Sequence, residues 1–133
     1  MLWYFYGTIG DVNLNLDLGE KYFEDISKKY KDIPNILYEI ANEPNNEWEG
    51  IKEYSNSIIS VIRKYNSDSI IIIPNSNANI RPDTVVLSDL ITSKNIMTSY
   101  HFYAGSHLTK ERMDYLETAM NKKIPIFVTE WGT

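Results

Sequence analysis

The sequence predicts an α/β fold, a parallel sheet with helices packed outside it. Three observations carry this. Short apolar runs rich in β-formers alternate strictly with longer amphipathic stretches, the pattern of consecutive βαβ units. The short runs are apolar throughout, as strands buried on both faces of a parallel sheet must be. Polar and aromatic residues cluster where four of these runs end, the end at which α/β barrels assemble their sites.

The elements follow in order. Leu2–Tyr6 is a first strand. Leu18–Tyr30 has helical spacing, with Tyr22, Phe23 and Ile26 on one face. Asn35–Ala41 (NILYEIA) is a buried strand. Glu47–Tyr65 is a strong helix whose apolar side carries Ile51, Tyr54, Ile58, Ile59 and Ile62. Ser69–Ile73 (SIIII) is a fully buried strand, and Pro82–Leu90 is a weaker helix with Asp83 as its N-cap. Asn95–His101 is a strand, Thr109–Met120 a helix capped by Thr109, and Ile124–Glu130 the last strand. The whole chain, residues 1–133, is expected to form one domain's worth of structure.

Composition narrows the function. The chain is 43% hydrophobic and 13% aromatic, enough to build a core, and carries a net charge of −5. It offers no basic patch for nucleic acid or an anionic membrane, so an uncharged substrate fits better than a polyanion. There is no Cys, which removes disulfides and thiolate metal sites. No apolar run is long enough to cross a membrane, and the opening MLWYFYG does not read as a signal peptide. Ten Tyr and three Trp supply ring faces of the kind that stack on sugars.

The strand ends hold the chemistry. Asn42 and Glu43 follow one strand, Asn75 and Asn77 the next, His101 and Tyr103 the third, and Glu130 and Trp131 the last. Glu43 and Glu130 are far apart in sequence, yet both end strands of one sheet, so folding can bring them together. Two carboxyl groups flanking one bond are what glycoside cleavage requires: one protonates the leaving oxygen, and in retaining enzymes the other attacks the anomeric carbon.

Three motifs, YEIANEPN (Tyr38–Asn45), SYHFYAG (Ser99–Gly105) and IFVTEWGT (Ile126–Thr133), occur in an order and spacing that resemble glycoside hydrolase family 5, in its endo-β-1,4-glucanase branch. The likeness runs from about Pro34 to the last residue. It implies a (β/α)8 barrel of the TIM-barrel type that hydrolyses β-1,4-glucans with retention and needs no cofactor and no metal. Carried over by motif, Glu43 is the general acid/base and Glu130 the nucleophile. Asn42, His101, Tyr103 and Trp131 are substrate-binding or flanking residues, with Tyr103 hydrogen-bonded to Glu130. The expected partner is a β-glucan polysaccharide or oligosaccharide, and the family's usual location is extracellular.

The chain departs from the family pattern. A complete barrel takes about 250 residues, so this chain corresponds to about strands three to seven of an incomplete barrel. The family's second-strand Arg and eighth-strand Trp have no counterpart. Its third-strand Trp-His pair falls on Tyr4 and Phe5, and Ala78 stands near a usual Trp. An open sheet leaves unpaired edges, so self-association is expected. The alternative reading is a non-catalytic, glucan-binding remnant of the same fold. A local rival is calcium binding at Asp11, Asn13, Asn15 and Asp17, which place oxygens at alternate positions. Leu16 stands where such a loop needs Gly and Tyr22 where it needs Glu. The segment therefore reads as a polar loop running into a helix capped by Asp17.

Overall fold

The computed structural model describes residues 10–133; the strand expected at Leu2–Tyr6 lies outside them. Four strands, β1 (Leu37–Glu39), β2 (Ile70–Ile73), β3 (Ile96–Tyr103) and β4 (Ile126–Gly132), form one sheet in sequence order. Every pairing is parallel: Leu37 opposes Ile70, Ile71 opposes Ile96, and Thr98 opposes Ile126. Sequential order with parallel pairing demands a crossover after each strand. The sheet curls as an incomplete barrel.

Three helices cover it: α1 (Leu16–Lys29), α2 (Trp48–Arg63) and α3 (Lys110–Asn121). The apolar stripe of α2 is buried as the periodicity requires, with Ile51, Ile58, Ile59 and Ile62 fully inaccessible. It packs with Phe23 of α1 and with Tyr38, Ile40, Ile71, Ile73 and Ile96 of the sheet. The Tyr54 hydroxyl donates to the Ile40 carbonyl at 2.6 Å, and burial pushes its phenol well above the ordinary value. This bond anchors the end of β1, just before Asn42 and Glu43. Tyr54→Phe is expected to lower stability by about 1–3 kcal/mol, read by denaturant unfolding, because a buried carbonyl loses its donor.

One capping expectation holds, while two others and one helix differ: Asp83 lies inside a short turn whose N-cap position is Arg81. Thr109 does cap α3, accepting from Arg112 N–H. Asp17, however, lies inside α1, whose N-cap position is Asn15. Asp11 instead caps the short 3-10 turn Val12–Asn15, accepting from Asn13 N–H and from Asn46 Nδ2. The Pro82–Leu90 helix is replaced by two 3-10 turns, Pro82–Thr84 and Leu87–Asp89. Val85 and Val86 between them are extended, and Val85 is buried. Two adjacent β-branched residues favour that backbone.

The sheet is uncovered along β4. Phe127, Val128 and Trp131 are 40%, 47% and 79% exposed. Beside β1, at the other end of the described sheet, an apolar groove of about 560 Å³ is lined by Leu18, Phe23, Leu37, Tyr38 and Ile40. Trp48 is a packing residue: its ring rests against the core and its Nε1 donates to Asp89 at 3.0 Å. Among the described residues no helix is long and apolar enough to cross a membrane.

Candidate active site

Glu43 lies in the loop that leaves β1 and has φ 47. A left-handed backbone costs a residue with a Cβ about 1 kcal/mol or more, so neighbouring contacts must impose it. Two backbone bonds do: Asn45 N–H donates to the Gly10 carbonyl at 2.7 Å, and Ala78 N–H donates to the Pro44 carbonyl at 3.0 Å.

Glu130 is aimed by a β-bulge. Ile126 packs toward the helices, and Val128, two residues on, opposes Tyr100. Strict alternation would send Glu130 to that same outer face. Instead the register shifts between Tyr100 and His101, so that His101 opposes Glu130 and Thr129 is the extra residue. The added residue turns Glu130 to the His101 side.

His101 is fully buried at the centre of this group. Its Nδ1 lies 3.0 Å from Glu43 Oε1 and 3.7 Å from Glu130 Oε2. The Tyr103 hydroxyl donates to Glu130 Oε2. One ligand atom from each of Glu43, His101 and Glu130 lies within 4.8 Å of the others. Among the described residues, this is the group whose spacing alone would suit a divalent ion.

Of the remaining expected site residues, Asn42 adjoins Glu43 and its Oδ1 is buried with no protein partner. Trp131 follows Glu130 on β4 with its ring in solvent. Among the described residues, it is therefore not a packing residue.

Two residues escaped the sequence reading. His107 holds Nδ1 3.1 Å from the Tyr103 backbone nitrogen and 3.2 Å from the His101 carbonyl, and stands edge-on to the Tyr103 ring at 5.3 Å. It braces the tyrosine that touches Glu130. Asn79, fully buried, reaches His101 Nε2 with its amide nitrogen at 3.4 Å. It sits in a turn where Asn77, Ala78 and Asn79 all have left-handed backbones. The Asn-rich run NSNAN was the available signal, because Asn tolerates that conformation better than most residues.

Comparison with known proteins agrees with this geometry. The model of the cellulase family, glycosyl hydrolase family 5, matches residues 2–133. Endoglucanase MaCel5A of Microbulbifer sp. (strain ALW1) is 38% identical over 93% of this chain, which spans 25% of that protein. Endoglucanase E-5 of Thermobifida fusca is 37% identical over 95% of the chain, which spans 28% of it. The structure of Cellulase Cel5C_n superposes over the whole chain with a TM-score of 0.89 and 37% identity, and the chain covers 42% of it. The catalytic domain of Thermobifida fusca endoglucanase Cel5A gives 0.84 and 36%. The chain thus spans less than half of each of these relatives, and it belongs to glycosyl hydrolase family 5.

Proposed function

We propose that this chain carries the catalytic half of a retaining endo-β-1,4-glucanase, with Glu130 as nucleophile and Glu43 as general acid/base. The observation that carries the reading is the spacing of the two carboxylates, whose nearest oxygens lie within 4.8 Å. Retaining enzymes hold their carboxyl groups about 5–5.5 Å apart, whereas inverting enzymes need about 6.5–9.5 Å to admit a water.

The reaction follows from the contacts. Glu130 attacks the anomeric carbon as the glycosidic C–O bond breaks, and Glu43 gives its proton to the departing oxygen. A water then attacks the glycosyl-enzyme while the Glu43 carboxylate takes its proton, and Glu130 is released. The Tyr103 hydroxyl occupies one lone pair of Oε2 and keeps the carboxylate aimed. The unpartnered oxygen of Asn42 is a ready acceptor for a sugar hydroxyl. The exposed ring of Trp131 offers a stacking face. A variant of the Thermobifida catalytic domain, 35% identical, was solved in complex with cellotetraose, which supports a β-1,4-glucan here. A polymer cannot cross a bilayer, so the enzyme would act outside the cell. The uncovered β4 side supports self-association through that edge.

Tyr103→Phe removes one hydrogen bond to a charged group, worth about 1.5–3 kcal/mol. It is expected to lower kcat roughly ten- to hundred-fold with little change in KM, measured on a soluble β-1,4-glucan.

The test is intact-mass spectrometry after incubation with a 2-fluoro-cellobioside bearing an activated leaving group. The expected result is one stable glycosyl adduct on the parent protein and none on Glu130→Gln. An unmodified parent that still binds cellohexaose would replace this reading with the non-catalytic one, for which the Ala78 position, with no ring to stack on sugar, speaks.

A further inference from the structure

The Asn79 amide has one orientation available. Its Oδ1 accepts from Asn75 N–H at 3.0 Å, and a backbone N–H can only donate, so the oxygen must face it. The amide nitrogen therefore faces His101 Nε2, 3.4 Å away. Amide nitrogen is a donor only, so Nε2 must be the bare acceptor of the imidazole ring. In the neutral ring the proton then sits on Nδ1, the atom pointing at Glu43 Oε1 and Glu130 Oε2.

We propose that Asn79 is a positioning residue that locks His101 in its Nδ1–H tautomer, so that a donor rather than a base faces the two carboxyl groups. The inference deepens the glucanase reading and rests on it only for its consequence.

That consequence is chemical. A bare Nδ1 at 3.0 Å from Glu43 would be a base beside the general acid, able to take the proton meant for the glycosidic oxygen. An Nδ1–H cannot. It donates to Glu43 Oε1 and leaves the acid's own proton on the other oxygen, available to the substrate. The same tautomer decides the metal question. A ligating histidine presents a bare nitrogen and donates its other N–H to an acceptor. Here the group opposite Nε2 is itself a donor, so the Glu43–His101–Glu130 cluster does not fit a cation.

The surroundings are built to hold this amide. Asn75 is fully buried, and its Nδ2 donates to Thr98 Oγ1 at 3.0 Å and to the Ser99 carbonyl at 2.6 Å. Its Oδ1 accepts from Arg81 N–H at 2.8 Å. These bonds tie the left-handed turn to β3, two residues before His101. Ala78 N–H in the same turn holds the Pro44 carbonyl. One turn thus positions both the imidazole and the loop that carries Glu43.

The test reads the ring directly. The chain has two histidines, so long-range ¹H–¹⁵N correlation spectra of protein labelled at histidine nitrogen give two separable patterns. For His101 the expected pattern is the Nδ1–H tautomer. Asn79→Asp keeps the bond from Asn75 N–H and presents a carboxylate oxygen to Nε2, so it should put a proton on His101 Nε2, as the Nε2–H or the doubly protonated pattern, and leave His107 unchanged. An Nε2–H pattern in the parent, or a His101 pattern that Asn79→Asp does not move, overturns the proposal. Should Asn79→Asp fail to fold, the parent spectrum alone decides. The tautomer is read without turnover, so failure of the glucanase reading and failure of this one are distinguishable.

Discussion

Glu130→Gln is expected to reduce kcat/KM on a soluble β-1,4-glucan by at least about a thousandfold, because an amide cannot form the glycosyl ester. The change is nearly isosteric and keeps an oxygen for Tyr103, so thermal unfolding should stay close to that of the parent. Glu47→Gln is the matched control. Glu47 flanks α2, its side chain makes no capping bond there, and the variant should retain full activity. Equal losses from both substitutions would sink the assignment of Glu130.

Glu43→Gln should separate the two chemical steps. With an ordinary glucan, loss of the proton donor is expected to cost about 10²–10⁴ in rate. With a dinitrophenyl leaving group, which departs without protonation, the first step should proceed nearly as in the parent. Water then lacks its base, so the glycosyl-enzyme should accumulate and appear as a burst of dinitrophenol followed by slow turnover. Loss of the same size on both substrates, with no burst, would show that Glu43 is not the acid/base.

The bulge at Thr129 is what sets Glu130 beside His101 and within reach of Tyr103. Without it, Glu130 would point among the outer residues beside Val128, and Tyr103 could not reach it. A β-bulge has no reliable signature in a single strand, since it exists only in the register between two. The motif TEWG marked the residue but not the device that turns it.

A similar division runs through the rest of the molecule. The α2 stripe of Ile51, Tyr54, Ile58, Ile59 and Ile62 was legible because burial follows a 3.6-residue period. The apolar run of β2 announced a parallel sheet because that strand is buried between its neighbours and the helices. The segment Pro82–Leu90 misled because its apolar residues suit a helix, while Val85 and Val86 favour extended backbone and the core takes Val85 from that conformation. No motif marks His107, because its contacts with the Tyr103 backbone nitrogen and the His101 carbonyl are set by the short turn Ala104–His107.

What the sequence determined by itself was therefore the order and kind of the elements, the placement of Glu43, His101, Tyr103 and Glu130 at strand ends, and membership in a family. Periodicity and local motif encode those properties over a few residues. Tertiary structure alone decided which way Glu130 faces, which nitrogen of His101 carries the proton, and that Asn79 governs it. Those depend on a register shift and on one buried amide held between a backbone N–H and an imidazole, contacts between elements that no local pattern specifies.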